Sequence, residues 1–133
     1  MKASELMIGD WVIVDHCSSR LEPCYGQVTG IDKDGEDVHT TEGMVDASLL
    51  KPVPLTPEIL ERNGFEAERN VGYVYNDWNE TEVIFDTFDH RLRILYRRDV
   101  VLDIEEWDFP VHMLQHTLRL CGVDKEIKLE DRP

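Results

Sequence analysis

From about Gly72 to Ile104, apolar and polar residues alternate with a period of two. Val83 and Phe85 fall on one face, followed by Leu92, Ile94 and Tyr96, and then by Val100, Leu102 and Ile104. Successive side chains of a strand point to opposite faces, so this alternation marks half-buried strands. Asp77, Asn79, Asp89-His90 and Arg98-Asp99 fall between the runs, where turns belong. The stretch predicts an antiparallel meander of three or four strands. Its polar face carries Glu82 and Asp86 on one strand, Arg91 and Arg93 on the next and Asp103 on the third, opposite charges that suit a solvated face.

The runs before Lys51 are shorter and more closely punctuated. Trp11-Val12-Ile13-Val14 follows Gly9-Asp10, and Tyr25-Gly26-Gln27-Val28-Thr29-Gly30-Ile31 is the next apolar run. Asp32-Lys33-Asp34-Gly35 predicts a reversal into Asp37-Val38-His39-Thr40, and Glu42-Gly43 marks another turn. Short strands at this spacing predict a small, strongly bent antiparallel barrel over residues 1–53. Lys51-Pro52-Val53-Pro54 reads as an extended connection.

Residues 54–133 predict an α+β segment: helix, meander, helix and a short strand. Thr56 can cap a helix, Pro57 suits its first position and Glu58 its positive end, with Ile59 and Leu60 as its apolar side. Asn63-Gly64 stops it and places Phe65 to fold back. Pro110 opens a second helix that Gly122 ends. There Val111, Leu114, Leu118 and Cys121 form a stripe to lie on the sheet, and His112, His116 and Arg119 fall on the expected solvent side. Lys125-Glu126-Ile127-Lys128-Leu129 reads as the last short strand, and Asp131-Arg132-Pro133 as a frayed end.

Charge narrows the partners. The net charge is −14, and both halves are acidic. Nucleic-acid binders need cations to replace phosphate counterions, so no nucleic acid and no anionic membrane is expected as a direct partner. The charge fits a soluble protein that repels its own copies, or one that meets a basic partner, with simple solubility the plainer reading. No stretch approaches the apolar length of a membrane span, and the apolar patch after Met1 is too short for a secretory signal, which points to the cytoplasm. Three cysteines, an odd number, with no secretory context are expected to be free thiols.

Few constellations suggest chemistry. His112 and His116 stand at i and i+4 on the second helix, a spacing that can chelate a metal. In zinc metalloproteases the first histidine is followed by a glutamate general base; here Met113 occupies that place, and no third ligand stands at a telling spacing. Both histidines are therefore expected to be surface residues, with no metal and no cofactor. Asp103, Glu105, Glu106 and Asp108 read as a solvated run between strand and helix. The spacing of Cys17 and Cys24 matches neither a zinc knuckle nor a redox motif, and Cys121 lies on the apolar stripe. Tryptophan is enriched at binding hot spots and is equally a core filler. Trp11 opens a strand and is expected in the core; Trp78, between Asp77 and Asn79 in a turn, is the candidate for an exposed binding contact.

Two stretches, Leu55-Thr56-Pro57-Glu58-Ile59-Leu60-Glu61-Arg62-Asn63-Gly64-Phe65 and Val111-His112-Met113-Leu114-Gln115-His116-Thr117-Leu118-Arg119-Leu120-Cys121-Gly122, together with the opening Leu6-Met7-Ile8-Gly9-Asp10-Trp11-Val12, resemble a group of short proteins of gut anaerobic bacteria and their prophages or mobile elements. The resemblance implies a bacterial or phage cytosolic protein and no particular activity. The N-terminal segment separately resembles SH3-like barrels. The expectation from all of this is an α+β protein, a small SH3-like β-barrel followed by an antiparallel β-meander with two helices. It would act as a non-enzymatic protein-interaction module encoded by a phage or mobile element. The alternative is a metal-dependent enzyme built on His112 and His116.

Overall fold

A computed structural model describes residues 1–15, 22–77 and 80–130. The chain divides into two compact units, neither of them one continuous stretch. The first comprises Met1–Val53, Pro110–His116 and Leu129–Pro133, and the second Pro54–Phe109 and Thr117–Lys128.

In the first unit the valines of Trp11-Val12-Ile13-Val14 turn inward and Trp11 and Ile13 stay half-buried, as alternation on a strand demands. This strand, β1 (Trp11–Val14), pairs antiparallel with β2 (Cys24–Ile31) on one side and with β5 (Leu50–Pro52) on the other. β3 (Asp37–Thr40) and β4 (Gly43–Asp46) complete an antiparallel sheet of order β4-β3-β2-β1-β5. The register of β2 against β3 slips between Val28 and Gly30, and such an irregularity bends and twists the long strand. The Thr40 hydroxyl donates to the Gly43 carbonyl at 2.8 Å and accepts from the Glu42 N–H, which ties the β3–β4 turn. A 3₁₀ turn, Ala47–Leu49, capped by the Asp46 carboxylate, leads into β5. Pro52 sits at the sheet edge, where its missing N–H costs no ladder bond. Val12, Val14, Val28, Val38 and Leu50 form the core with Ala3, Leu6 and Ala47. No pairing among the described residues joins β4 to β5, so the sheet is open by its hydrogen bonds and the expected closure into a barrel is not among them.

The second unit begins as its sequence predicts. Thr56 accepts from the Ile59 N–H at 3.3 Å to cap α1 (Pro57–Arg62), with proline in the first turn. Gly64 takes the left-handed φ of 85° that ends the helix. Phe65 folds back into the interior, its ring 5.4 Å from that of Tyr75. The meander has five strands: β6 (Glu66–Glu68), β7 (Gly72–Asn76), β8 (Thr81–Asp86), β9 (Arg91–Tyr96) and β10 (Asp99–Glu105), in the order β10-β9-β8-β7-β6. All three residues of β6 are exposed, so it carries no alternation to betray it. Val83 faces Ile94 and Phe85 faces Leu92 across β8 and β9, all four buried. Each such side chain contributes roughly 1.5–3 kcal/mol by leaving water. The alternation expected at Val100, Leu102 and Ile104 fails at its start. The register shifts between Val100 and Leu102, and Val100 and Val101 are both exposed.

α2 (Val111–Leu120) runs from residues of the first unit into residues of the second. Val111, Leu114 and Leu118 of its stripe are buried, while Cys121 just beyond it is half-buried. No helix among the described residues is long and apolar enough to cross a membrane.

Three expectations are corrected. No strand forms over 125–129: the Asn63 amide donates to the Lys128 carbonyl at 2.9 Å and accepts the Lys128 N–H at 2.7 Å, so a side chain takes the bonds a sheet edge would have made. Trp11 is half-buried instead of enclosed, edge-on to Tyr25 with ring centroids 6.4 Å apart. Cys24 is disulfide-bonded and Cys121 is free, because an odd count of cysteines leaves room for a bridge as well as a thiol. Cys17 and the frayed end at Asp131-Arg132-Pro133 lie outside the described residues.

Candidate functional site

The histidine pair is built into the first unit. His112 is only 6% exposed and His116 is partly buried, their rings 5.6 Å apart. This overturns their expected place on the solvent face of α2. The Nε2 of His116 lies 2.6 Å from the Asp10 carboxylate, whose residue is wholly buried. The same carboxylate oxygen accepts the Met7 N–H at 2.7 Å. One residue earlier on the helix, Gln115 accepts from the Trp11 N–H and donates to the Gly9 carbonyl, both at 2.9 Å. Gln115 and His116 thus hold the backbone and carboxylate at the entrance to β1, which is structural work for polar side chains on a helix. Burial lowers the pKa of His112; His116 acts in the same direction, and the Asp10 and Glu5 charges oppose it. Its Nδ1 is buried with no hydrogen-bond partner among the described residues. Among those residues no group of three or more His, Cys, Asp or Glu side chains is placed to hold a metal ion.

Trp78, the other candidate, lies outside the described residues. Three arginines of the meander are engaged among the described residues, Arg98 not being one of them. Arg91 pairs with Asp103 and Glu105 at 3.2 and 2.9 Å, Arg93 approaches Asp86 at 4.0 Å, and Arg97 meets Glu80 at 2.7 Å. The cross-strand charges of the sheet's polar face therefore neutralise one another locally.

A different constellation emerges at one end of the second sheet. The register runs in a row across its strands: Glu68 opposite Gly72, Asp86 opposite Arg91, and Arg91 opposite Glu105. Beyond the row lie the turn at 69–71, the turn at 87–90 and residues 106–108. The Asp86 carboxylate accepts the N–H groups of Phe88 and Asp89 at 2.9 and 3.3 Å, a side-chain clasp that shapes the tip of the β8–β9 turn. Phe88 stands on that tip 92% exposed. Trp107, 75% exposed, stacks at 4.7 Å on the ring of His90, and the Glu106 N–H donates to the His90 carbonyl at 3.0 Å. Beside Phe88 opens a groove of about 380 Å³ lined by Val71, Tyr73 and Asp86 among others. Gly72 shapes its wall. At a φ of 119° its backbone passes so close to Phe85 that a Cβ would meet the Phe85 carbonyl oxygen at 2.3 Å.

A protein of this size gains by burying a phenylalanine and a tryptophan, and here both are left in water beyond the same end of one sheet. The sequence held a signal for each. Phe88 is an aromatic residue inside the turn run Asp86-Thr87-Phe88-Asp89-His90, and Trp107 is enclosed by Glu105, Glu106 and Asp108. Neither neighbourhood can be a core strand. Compared with protein-family models, curated proteins and solved structures, the chain matches none.

Proposed function

We propose that this protein is a non-enzymatic protein-interaction module whose contact surface is the aromatic end of the second sheet. The observation that carries the reading is the exposure of Phe88 and Trp107 at the same end of one sheet. Aromatic anchors of this kind dominate the energetics of protein contacts. An SH3-like character of the first unit belongs to the same proposal; the fifth strand beside the first and the register shift of β2 at Val28–Gly30 favour it, and the open sheet weighs against it.

The test is retention from a lysate of the source organism by the wild type and by a Phe88→Ser, Trp107→Ser double variant. Both positions are exposed, so melting temperature should stay unchanged. Proteins held by the wild type and lost by the variant are the expected result. An identical set on both proteins sinks the reading. A cytoplasmic location belongs to the same proposal, and the Cys24 disulfide weighs against it, since that compartment keeps thiols reduced. Alkylation at lysis decides the compartment: a Cys24 open to alkylation agrees with the cytoplasm, and a Cys24 already bridged, as in the structure, places the protein in an oxidising compartment.

A further inference from the structure

We infer that the aromatic end of the second sheet takes a short basic segment of a partner protein, an apolar or aromatic side chain flanked by lysine or arginine. This rests on the interaction reading above and adds the chemistry of the partner.

Charge supplies the first argument. Residues 68–71, 86–91 and 105–108 bring together six carboxylates and two arginines, a net charge of −4. Arg91 is held by Asp103 and Glu105. Glu68, Asp89, Glu106 and Asp108 are exposed and make no ion pair among the described residues. Carboxylates beside an exposed apolar patch select an apolar anchor with cations around it, and they steer its approach. Trp107 adds to this. An exposed indole with Glu106 and Asp108 as its chain neighbours offers a cation both a ring face and a countercharge.

The other occupants fare worse on the same charges. A second copy would bring the same negative end against itself in a two-fold contact. A phosphate backbone or an anionic bilayer is repelled outright. Size supplies the second argument. Five strands at about 4.8 Å spacing make the sheet end on the order of 20 Å wide, the reach of about six residues of extended chain. A short linear segment covers that span.

The experiment is to pan a displayed random dodecapeptide library against the wild-type protein and titrate the selected peptides. Peptides with at least two Lys or Arg around an apolar residue are expected. Their affinity should fall about tenfold or more in Phe88→Ser, Trp107→Ser, and by a similar factor in Glu106→Gln, Asp108→Asn or when salt is raised about tenfold. Selected peptides without cations, or binding that survives the charge variant and the salt, overturn the basic partner while the aromatic variant still reports on the surface itself. Peptides indifferent to the aromatic variant, or no selected peptide at all, overturn the proposal, and the lysate comparison then decides the interaction reading on its own.

Discussion

His116 and Leu118 show what two residues on one helix can mean. A helical wheel puts Leu118 inward and His116 outward, and on that wheel His116→Ala would cost less than about 0.5 kcal/mol. The structure agrees for Leu118, which is 1% exposed, so Leu118→Ala should cost on the order of 2–5 kcal/mol. It disagrees for His116, which is bonded to the buried Asp10 carboxylate. Removing that partner should cost about 1–3 kcal/mol, well beyond a surface substitution. Urea denaturation of both variants checks this, and an His116→Ala protein as stable as the wild type would show that the pair contributes nothing. The histidines were misplaced because a stripe of apolar residues reports only one side of a helix. α2 is buried around most of its girth from Val111 to Leu118, with Gln115 and His116 bonded where apolar residues would otherwise be expected. His112 carries a pH dependence of its own. Burial depresses its folded pKa below the unfolded value of about 6.5. Below that pH the unfolded chain binds the proton more readily, so stability should fall as pH drops from about 6.5 toward the lower folded pKa. His112→Leu should flatten this part of the pH–stability curve; an unchanged slope in that variant assigns it to other groups.

At the scale of elements, turn residues were the most legible signal. Thr56, Pro57 and Asn63-Gly64 bound α1 as read, and Asp32 to Gly35 reverses the chain into β3. Alternation located β8 and β9 well, because both bury Val, Phe, Leu and Ile on one face. It failed at β6, which is exposed throughout, and at β10, where a register shift breaks the period. It promised a strand at 125–129 that the Asn63 amide replaces, a long-range contact with no local trace. The β9–β10 hairpin is unusual in composition. Its two loop residues, Arg97 and Arg98, sit at φ of 50° and 72°, where Asn-Gly or Asp-Gly is the usual choice. Arg97 is compensated by Glu80, through an ion pair at 2.7 Å and a backbone bond at 3.1 Å, and its guanidinium lies 5.2 Å from the Tyr96 ring. No ion pair holds Arg98 among the described residues. Arg98→Gly should therefore raise stability by up to about 1 kcal/mol, the relief of left-handed strain less the entropy of a glycine. Gly72→Ala should do the reverse, since its Cβ would collide with the Phe85 carbonyl. Thermal unfolding of the two variants tests both signs, and a stabilised Gly72→Ala would contradict the close approach on which the groove wall depends.

The whole molecule sets an aromatic surface in a strongly negative field. The net charge of −14 was legible at once, and it removed nucleic acid and anionic membranes from the expected partners. The surface itself was hidden, because only the strand register brings the 87–90 turn and residues 106–108 to one sheet end. Apolar exposure and negative charge then oppose each other. Phe88 and Trp107 favour association, while carboxylates around them resist it between identical copies. At low ionic strength the repulsion reaches far, and the protein should sediment as a monomer. Salt near physiological strength shortens that reach to about 8 Å, and 1 M salt to about 3 Å, without weakening apolar burial. Weak self-association should therefore appear as salt rises toward 1 M and vanish in Phe88→Ser, Trp107→Ser. Sedimentation across a salt series measures it. A dimer at low salt that the double substitution dissolves would mean that attraction at the aromatic end exceeds the repulsion. The second copy would then be the occupant, in place of a basic segment. Monomers throughout the series, with the aromatic side chains intact, would show that the two exposed rings are too dispersed across the sheet end to act as one surface.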